Sequence, residues 1–218
     1  MAGKILIIIA CSGRKRDGGI PGYRWENKNS AISRLSRQKA MSLLTCRRLL
    51  AKKYHHKEGM DLGGNREGTV PLIPAIERYD GNLYREIDTT LWGKLAGKDC
   101  VEVLIVSALY GLLTPWEAIR KYELSMNEAY AERYRLSRWW RDQGLGKMLA
   151  EFVVGSGASI VHDFLSGPYR NITWELKAKA GSKFRLPYHS YPGLGSGSDY
   201  HRGKDVRDLL EGALGHVT

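Results

Sequence analysis

Three short apolar runs stand out along the chain, at residues 4–10, 101–107 and 159–163. Each is rich in Ile, Leu or Val and gives way to a turn-forming segment, a pattern typical of strands that are buried on both faces. Residues 184–189 are a candidate fourth strand. These runs predict the buried strands of one sheet.

Residues 30–54 have the period of an amphipathic helix. Apolar side chains such as Leu43 and Leu50 recur at 3.6-residue spacing and predict a buried face. The opposite face is basic and carries Arg34, Arg37, Arg48 and Lys52.

Further helices are predicted at residues 82–95, 114–122, 127–143, 145–154, 169–179 and 204–214. The most distinct signal begins the helix at 114–122, where Thr114, Pro115 and Glu117 match a capping box with proline at the first helical position. Strands that alternate with helices predict an α/β fold. Its sheet is expected to be mostly parallel or mixed and covered by helices on both faces, within a single domain over residues 1–218.

The charge of the chain is concentrated near its start. The 218 residues carry a formal charge of +11, with 34 basic and 23 acidic residues. Residues 1–57 hold 14 Lys and Arg against Asp17 and Glu26, a net +12, so the remaining chain is almost neutral. A localised basic surface favours a polyanionic partner, above all nucleic acid.

Other compositional features narrow the class of protein. The longest apolar run is too short to span a bilayer, so no membrane partner is expected. Cys11, Cys46 and Cys100 are odd in number and widely spaced, and the six histidines have no metal-ligand spacing. We therefore expect a cytoplasmic protein without disulfides, a bound metal or a cofactor.

The first loop that could carry chemistry is Cys11-Ser12-Gly13-Arg14-Lys15, at the carboxyl end of the first predicted strand. Ligands of open α/β sheets bind at that edge, and a glycine turn followed by cations can hold a phosphate. The neighbouring cations favour the thiolate of Cys11 and make it a candidate nucleophile. Alternatively, Cys11 is a small buried apolar residue and the cations are solvated.

Three other segments are expected at or near the same edge: residues 74–84, residues 107–113 with the downstream Glu123, and the turn at 166–168 with the adjoining Tyr169. The first combines carboxylates with tyrosines, although its Asp-Gly-Asn string is also an ordinary turn and helix cap. The candidate catalytic residues are Cys11, Glu77 and Glu123. The candidate substrate-binding residues are Ser12, Arg14, Lys15, Tyr79, Asp80, Tyr84, Ser107, Tyr110, Gly111, Ser166 and Tyr169.

A second kind of candidate site lies between the helices predicted at 127–143 and 145–154. Gly144-Leu145-Gly146 followed by Lys147 matches a helix-hairpin-helix, which presents backbone amides and a helix N-terminus to a DNA phosphate. The alternative is an ordinary glycine cap between two packed helices. With the basic helix, the predicted nucleic-acid-binding residues are Arg34, Arg37, Arg48, Lys52, Gly144, Gly146 and Lys147.

The segments at 74–84 and 103–126 resemble the YaaA family, known from peroxide-stress proteins. The resemblance rests on Tyr79-Asp80-Gly81-x-Leu83-Tyr84, on Ser107-Ala108-Leu109-Tyr110-Gly111, and on the string that begins at Tyr122. The loop at Cys11 is also similar to the Cys-Ser-x-x-Lys string of archaeosine synthases, which modify a deazaguanine base in tRNA.

Two functions follow from the residues and the resemblance. The YaaA resemblance implies a compact α/β domain with a helix-hairpin-helix, binding to double-stranded DNA, and a role in limiting oxidative damage. The pocket at Cys11 alternatively indicates an enzyme that acts on a nucleobase or on the N-glycosidic bond of a nucleotide. The two functions are compatible, because a base inside a duplex must be flipped out to reach such a pocket.

Overall fold

The computed structural model describes residues 3–20, 25–66 and 68–215. The strands are β1 Ile5–Ala10, β2 Ile73–Pro74, β3 Val101–Ser107, β4 Gly111–Leu113, β5 Ala118–Ile119, β6 Ala129–Ala131, β7 Tyr134–Arg135 and β8 Ile160–Asp163. The α-helices are α1 Arg37–Lys53, α2 Ala75–Arg78, α3 Asn82–Arg85, α4 Thr89–Leu95, α5 Leu136–Asp142, α6 Leu145–Ser156, α7 Trp174–Lys177 and α8 Ser198–Gly215.

The central sheet has the strand order β4-β3-β1-β8. Strand β1 pairs in parallel with β3 and β8, and the short β4 adds an antiparallel edge. Four consecutive side chains of β1, residues 6–9, are completely buried, as expected for a strand covered on both faces. The mixed α/β fold and its three main strands are therefore confirmed.

The candidate strand at 184–189 runs beside β8 without forming a continuous ladder. Its pairing consists of two isolated parallel bridges, from Ile160 to Arg185 and from Asp163 to Tyr188. This segment extends the sheet loosely beyond β8.

The helix predicted at 30–54 is interrupted near its start. Residues 31–34 form a 3-10 turn, Leu35 is extended, and α1 begins at Arg37 after Ser36. The backbone N–H of Ser36 donates to the Glu151 carboxylate at 2.5 Å, which holds this break against α6. The basic face survives within the helix, where Arg37, Arg48 and Lys52 are exposed.

The prediction of a helix at 114–122 is wrong. Residues 118–119 form β5, which pairs antiparallel with β2. Glu117, the expected capping-box carboxylate, is instead buried and accepts from the Arg47 guanidinium at 2.8 Å. A tertiary ion pair has overridden the local helix signal.

The remaining helices differ from their predictions mainly in length. The first part of 127–143 is the β6–β7 hairpin, with Arg133 at φ 55, and helix α5 begins only at Leu136. Residues 82–95 form two short helices, α3 and α4, and residues 169–179 contain a 3-10 segment followed by α7. Helix α8 begins at Ser198, six residues earlier than predicted.

The predicted helix-hairpin-helix is not confirmed. Gly144 has the left-handed conformation, φ 77, that the turn between α5 and α6 requires. Gly146 is buried within α6, and a Cβ there would lie 2.7 Å from the carbonyl oxygen of Ile172. Close packing against the segment before α7 therefore explains this glycine.

Alanine at Gly146 is expected to destabilise the protein by about 1–3 kcal/mol, because the new methyl group meets a backbone carbonyl. Gly155 is the matched control, since it lies in the same helix with open space around it. There, alanine should stabilise by about 0.5–1 kcal/mol through its helix propensity. Denaturant unfolding of both variants checks this, and equal stabilisation would rule out the packing role of Gly146.

Candidate active site at the end of β1

The loop that follows β1 is fixed by backbone hydrogen bonds to two other segments. The N–H of Cys11 donates to Val106 at 2.8 Å, and the N–H of Arg16 donates to the carbonyl of Arg78 at 2.8 Å. The N–H of Asp80 donates back to Arg14 at 3.0 Å. The loop at 11–16 therefore lies directly against residues 78–80, as expected for segments at the carboxyl edge of the sheet.

A cavity of about 250 Å³ opens at this edge. Its walls come from the loop after β1, from α3, from the segment after β5, from the turn after β8 and from α8. The lining residues are Ala10, Cys11, Ser12, Gly13, Gly81, Asn82, Leu83, Tyr84, Leu124, Ser125, Phe164, Ser166, Tyr169, Asp199 and Arg202.

Cys11 is half-buried in the cavity wall, and its sulfur lies 3.1 Å from the Tyr169 hydroxyl. Burial, reinforced by the nearby thiol, raises the pKa of Tyr169 well above its ordinary value. Tyr169 is therefore a neutral phenol at neutral pH, able to donate to the sulfur. Gly81 lies close behind this loop, since a Cβ there would come within 2.3 Å of the Ser12 hydroxyl.

A buried hydroxyl cluster lies beneath the same loop. The Tyr122 hydroxyl is 2.8 Å from that of Tyr79 and 2.9 Å from that of Ser107. Burial raises the pKa of both tyrosines well above the ordinary value. The cluster is therefore uncharged and holds the ends of α2, β3 and β5 together.

Lys15 points toward this cluster and does not line the cavity. Its ammonium group lies 4.1 Å from the centre of the Tyr122 ring and donates to the Gly13 carbonyl at 3.2 Å. Burial lowers the pKa of Lys15, while Cys11 and Glu123 act in the opposite direction.

The other predicted substrate residues divide between the cavity and its surroundings. Tyr84 lines the cavity and donates to the Ala10 carbonyl at 2.8 Å, and Ser12, Ser166 and Tyr169 line it as well. Asp80 lies outside, where hydrogen bonds from Arg85, and then from Arg16, lower its pKa to about 2.

The remaining predicted residues do not line the cavity. Glu77, Glu123 and Arg14 are exposed. Tyr110 is buried and donates to Asp61 at 2.7 Å, while Gly111 contacts the core through Leu43 and Trp140. The structure thus brings Cys11 together with Tyr84, Ser166 and Tyr169 in the cavity wall, whereas neither candidate carboxylate lines the cavity.

Two charged residues of α8 complete the cavity, and sequence reasoning missed both. Arg202 is buried and donates to Asp199 at 2.6 Å and to the Ser198 hydroxyl at 2.8 Å. The sequence predicts the final helix only from residue 204, so both residues lie before the predicted helix. Their i, i+3 spacing was the available signal.

The predicted nucleic-acid residues lie on two surfaces. Arg37, Arg48 and Lys52 share the exposed face of α1 and form no ion pair among the described residues. Arg34 differs from them, because its guanidinium pairs with Glu102. Lys147 is exposed on α6, beside a groove that Lys39 and Lys179 also line.

The family model described as peroxide stress protein YaaA matches residues 23–185. The chain belongs to this family. Two UPF0246 proteins of Rickettsia bellii, from strains OSU 85-389 and RML369-C, are each 35% identical to it over 74 residues. These alignments cover 32% of this chain and 28% of each relative.

Much of the cavity lies outside the part of the chain that matches the YaaA family model. The loop at Cys11 precedes residue 23, and helix α8 follows residue 185. The matched part supplies α3, Tyr169 and the buried hydroxyl cluster. In this YaaA-family chain, residues from both sides of the matched region therefore complete the cavity.

The described ranges contain neither a helix suited to crossing a membrane nor a cluster of side chains suited to a metal ion. None of the helices there combines the length and apolar character that a membrane crossing demands. Nor do residues 3–20, 25–66 and 68–215 hold a group of three His, Cys, Asp or Glu side chains suited to a metal ion.

Proposed function

We propose that this YaaA-family protein binds the phosphate backbone of double-stranded DNA and acts in protection against oxidative damage. The observation that carries the binding proposal is the exposed face of α1, where Arg37, Arg48 and Lys52 have no carboxylate partner among the described residues. Cations without partners can replace the counterions condensed on DNA. The description of the family supplies the link to peroxide stress.

The α1 face is a better candidate than the groove beside Lys147. Lys39 in that groove is paired with Glu151, and Glu175 also lines it, so acidic residues offset its basic charge. Arg34 is likewise neutralised by Glu102. DNA binding through the α1 face needs only charge and exposure, and it does not depend on a helix-hairpin-helix.

The test is the salt dependence of binding to a short DNA duplex. A triple Gln variant at Arg37, Arg48 and Lys52 should reduce the slope of log K against log salt by about 0.9 for each phosphate contact removed. A matched variant changes the exposed Lys94, Lys98 and Lys183 to Gln, with the same loss of charge on other elements. Equal slopes for the two variants would refute a specific role of α1.

A second function, that of an enzyme acting on a nucleobase or its N-glycosidic bond, is favoured by the cavity at Cys11. The specific observation is a half-buried thiol held 3.1 Å from a neutral phenol within a cavity of about 250 Å³. A thiol and a phenol can supply a nucleophile and a proton donor. Aromatic and hydroxyl side chains in the same walls suit a flat polar base.

Release of free base from a panel of nucleotides and damaged DNA tests this second function. Cys11→Ala is expected to abolish release, because the thiol at the cavity wall is lost. Cys100→Ala is the matched control, since Cys100 is also half-buried but lies outside the cavity, with its sulfur toward the Ala213 carbonyl. Unchanged release in Cys11→Ala, or no release from any member of the panel, would reject the enzymatic function.

A further inference from the structure

Helix α8 gives the cavity at Cys11 a charged wall to which no role has been assigned. Arg202 is only 7% exposed, yet its side chain lines the cavity. One of its terminal nitrogens donates to both Asp199 and Ser198, and its Nε has no hydrogen-bond acceptor among the described residues. A buried guanidinium with an unused donor is costly unless a ligand or water satisfies it.

The position of this wall is set by close packing between α8 and α3. Gly203 follows Arg202, and a Cβ there would lie 2.6 Å from the carbonyl oxygen of Leu83. The Arg202 guanidinium also lies over the Tyr191 ring, 5.1 Å from its centre. The packing therefore orients Arg202 before any ligand arrives.

The charges of the cavity favour a neutral ligand over a phosphate. Among the described lining residues, Asp199 and Arg202 are the charged ones, and they pair with each other at 2.6 Å. Lys15 is turned toward the Tyr122 ring and Arg14 is exposed, so neither adds positive charge to the lining. An anion entering the cavity would find no uncompensated cation.

We propose that Asp199 and Arg202 recognise the polar edge of an uncharged nucleobase in this cavity. The carboxylate accepts from a ring N–H or exocyclic amine, and the guanidinium donates to an adjacent carbonyl or ring nitrogen. The rings of Tyr84, Phe164 and Tyr169 supply apolar surface for the flat part of the base. This assignment rests on the second proposed function, which places a base in the cavity.

Calorimetric titration of the full chain with adenine, guanine, cytosine and uracil, and separately with inorganic phosphate, tests the assignment. At least one base should bind, and phosphate should neither bind in the cavity nor compete. Asp199→Asn should weaken base binding by about 10- to 100-fold, the effect of one lost charge-assisted hydrogen bond. Asp208→Asn, an exposed carboxylate farther along α8, is the matched control and should change affinity less than twofold.

Phosphate binding without base binding, no binding of either probe, or equal effects of the two Asn variants would each overturn the assignment. Asp199 is 61% exposed, so its variant should fold, and Arg202→Lys provides a second variant that retains the charge. Base binding through Asp199 without base release would reject the enzymatic function and leave the recognition site standing. If base is released and Asp199→Asn leaves the KM unchanged, the recognition site is rejected and the enzymatic function remains.

Discussion

Replacing Arg47 by leucine is expected to lower the free energy of unfolding by about 3–5 kcal/mol. Arg47 is completely buried on α1, and its guanidinium donates to the Glu117 carboxylate at 2.8 Å. It also donates to the carbonyls of Tyr110, Leu112 and Asp61 at 3.0, 2.9 and 3.2 Å. Leucine would leave a buried carboxylate without its counter-charge and three carbonyls without this donor.

Urea unfolding measures this loss, and an exposed pair provides the control. Arg141 pairs with Asp142 at 3.2 Å, with both side chains 43% exposed, so Arg141→Leu should cost less than about 1 kcal/mol. The double variant Arg47→Leu/Glu117→Leu should recover part of the loss, because it removes both buried charges. A cost for Arg47→Leu no larger than that of Arg141→Leu would contradict the prediction. If Arg47→Leu does not fold, Glu117→Gln removes the charge with little change in shape.

The buried pair of Arg47 and Glu117 also shows where local sequence signals stop being reliable. The strands at 4–10 and 101–107 were predictable because a short continuous apolar run between turn signals is typical of a strand buried on both faces. The capping box at Thr114 was equally distinct, but its glutamate, Glu117, instead pairs with Arg47, 70 residues earlier in the chain. A helix signal of about 1 kcal/mol is smaller than the cost of about 3–5 kcal/mol of leaving one partner of a buried ion pair without the other.

The charge count along the sequence overstates the basic surface for the same reason. Several cations of residues 1–57 are neutralised by acidic residues from later in the chain: Lys4 and Arg34 pair with Glu102, Lys39 with Glu151 and Arg47 with Glu117. Lys15 is buried. Of the net charge of +12 in residues 1–57, the part that is exposed and unpaired among the described residues therefore lies largely on loop residues and on the exposed face of α1.

The candidate site was predictable only where it follows from sheet topology. Residues after parallel strands meet at one edge, so the loop at Cys11 and the turn at Ser166 could be placed together. The contribution of Asp199 and Arg202 depends on how α8 packs against α3, which no local pattern encodes. For Tyr110 the argument from topology is misleading. Tyr110 follows β3, but its side chain is buried and donates to Asp61.

Replacing Arg120 by methionine should also destabilise the protein by about 3–5 kcal/mol, and it should change the titration of a neighbouring histidine. Arg120 is 2% exposed and donates to both carboxylate oxygens of Asp61, at 2.6 and 2.9 Å. Tyr110 donates to the same carboxylate. Methionine would leave the buried Asp61 carboxylate with Tyr110 as a neutral donor and without its paired cation.

The pKa of His56 reports the same change independently of overall stability. Burial, and then the charge of Arg120, lower this pKa, whereas Asp61 raises it. In the parent protein the unfolded chain takes up a proton on His56 before the folded chain does, so stability falls as the pH drops below about 6.5. Without Arg120 the pKa of His56 should rise, and this loss of stability on acidification should shrink.

Proton NMR titration of His56, together with unfolding between pH 7 and pH 5, measures both effects. Lys121→Met is the neighbouring control, because Lys121 pairs with Asp17 at the surface. It should change the free energy of unfolding by no more than about 1 kcal/mol, and the pKa of His56 by no more than the shift that corresponds to this energy. If Arg120→Met does not fold, Arg120→Lys retains the charge and should preserve the lowered pKa of His56. Asp61→Asn should lower that pKa further. A rise in Asp61→Asn, or no change in Arg120→Met, would show that this buried pair does not control the charge of His56.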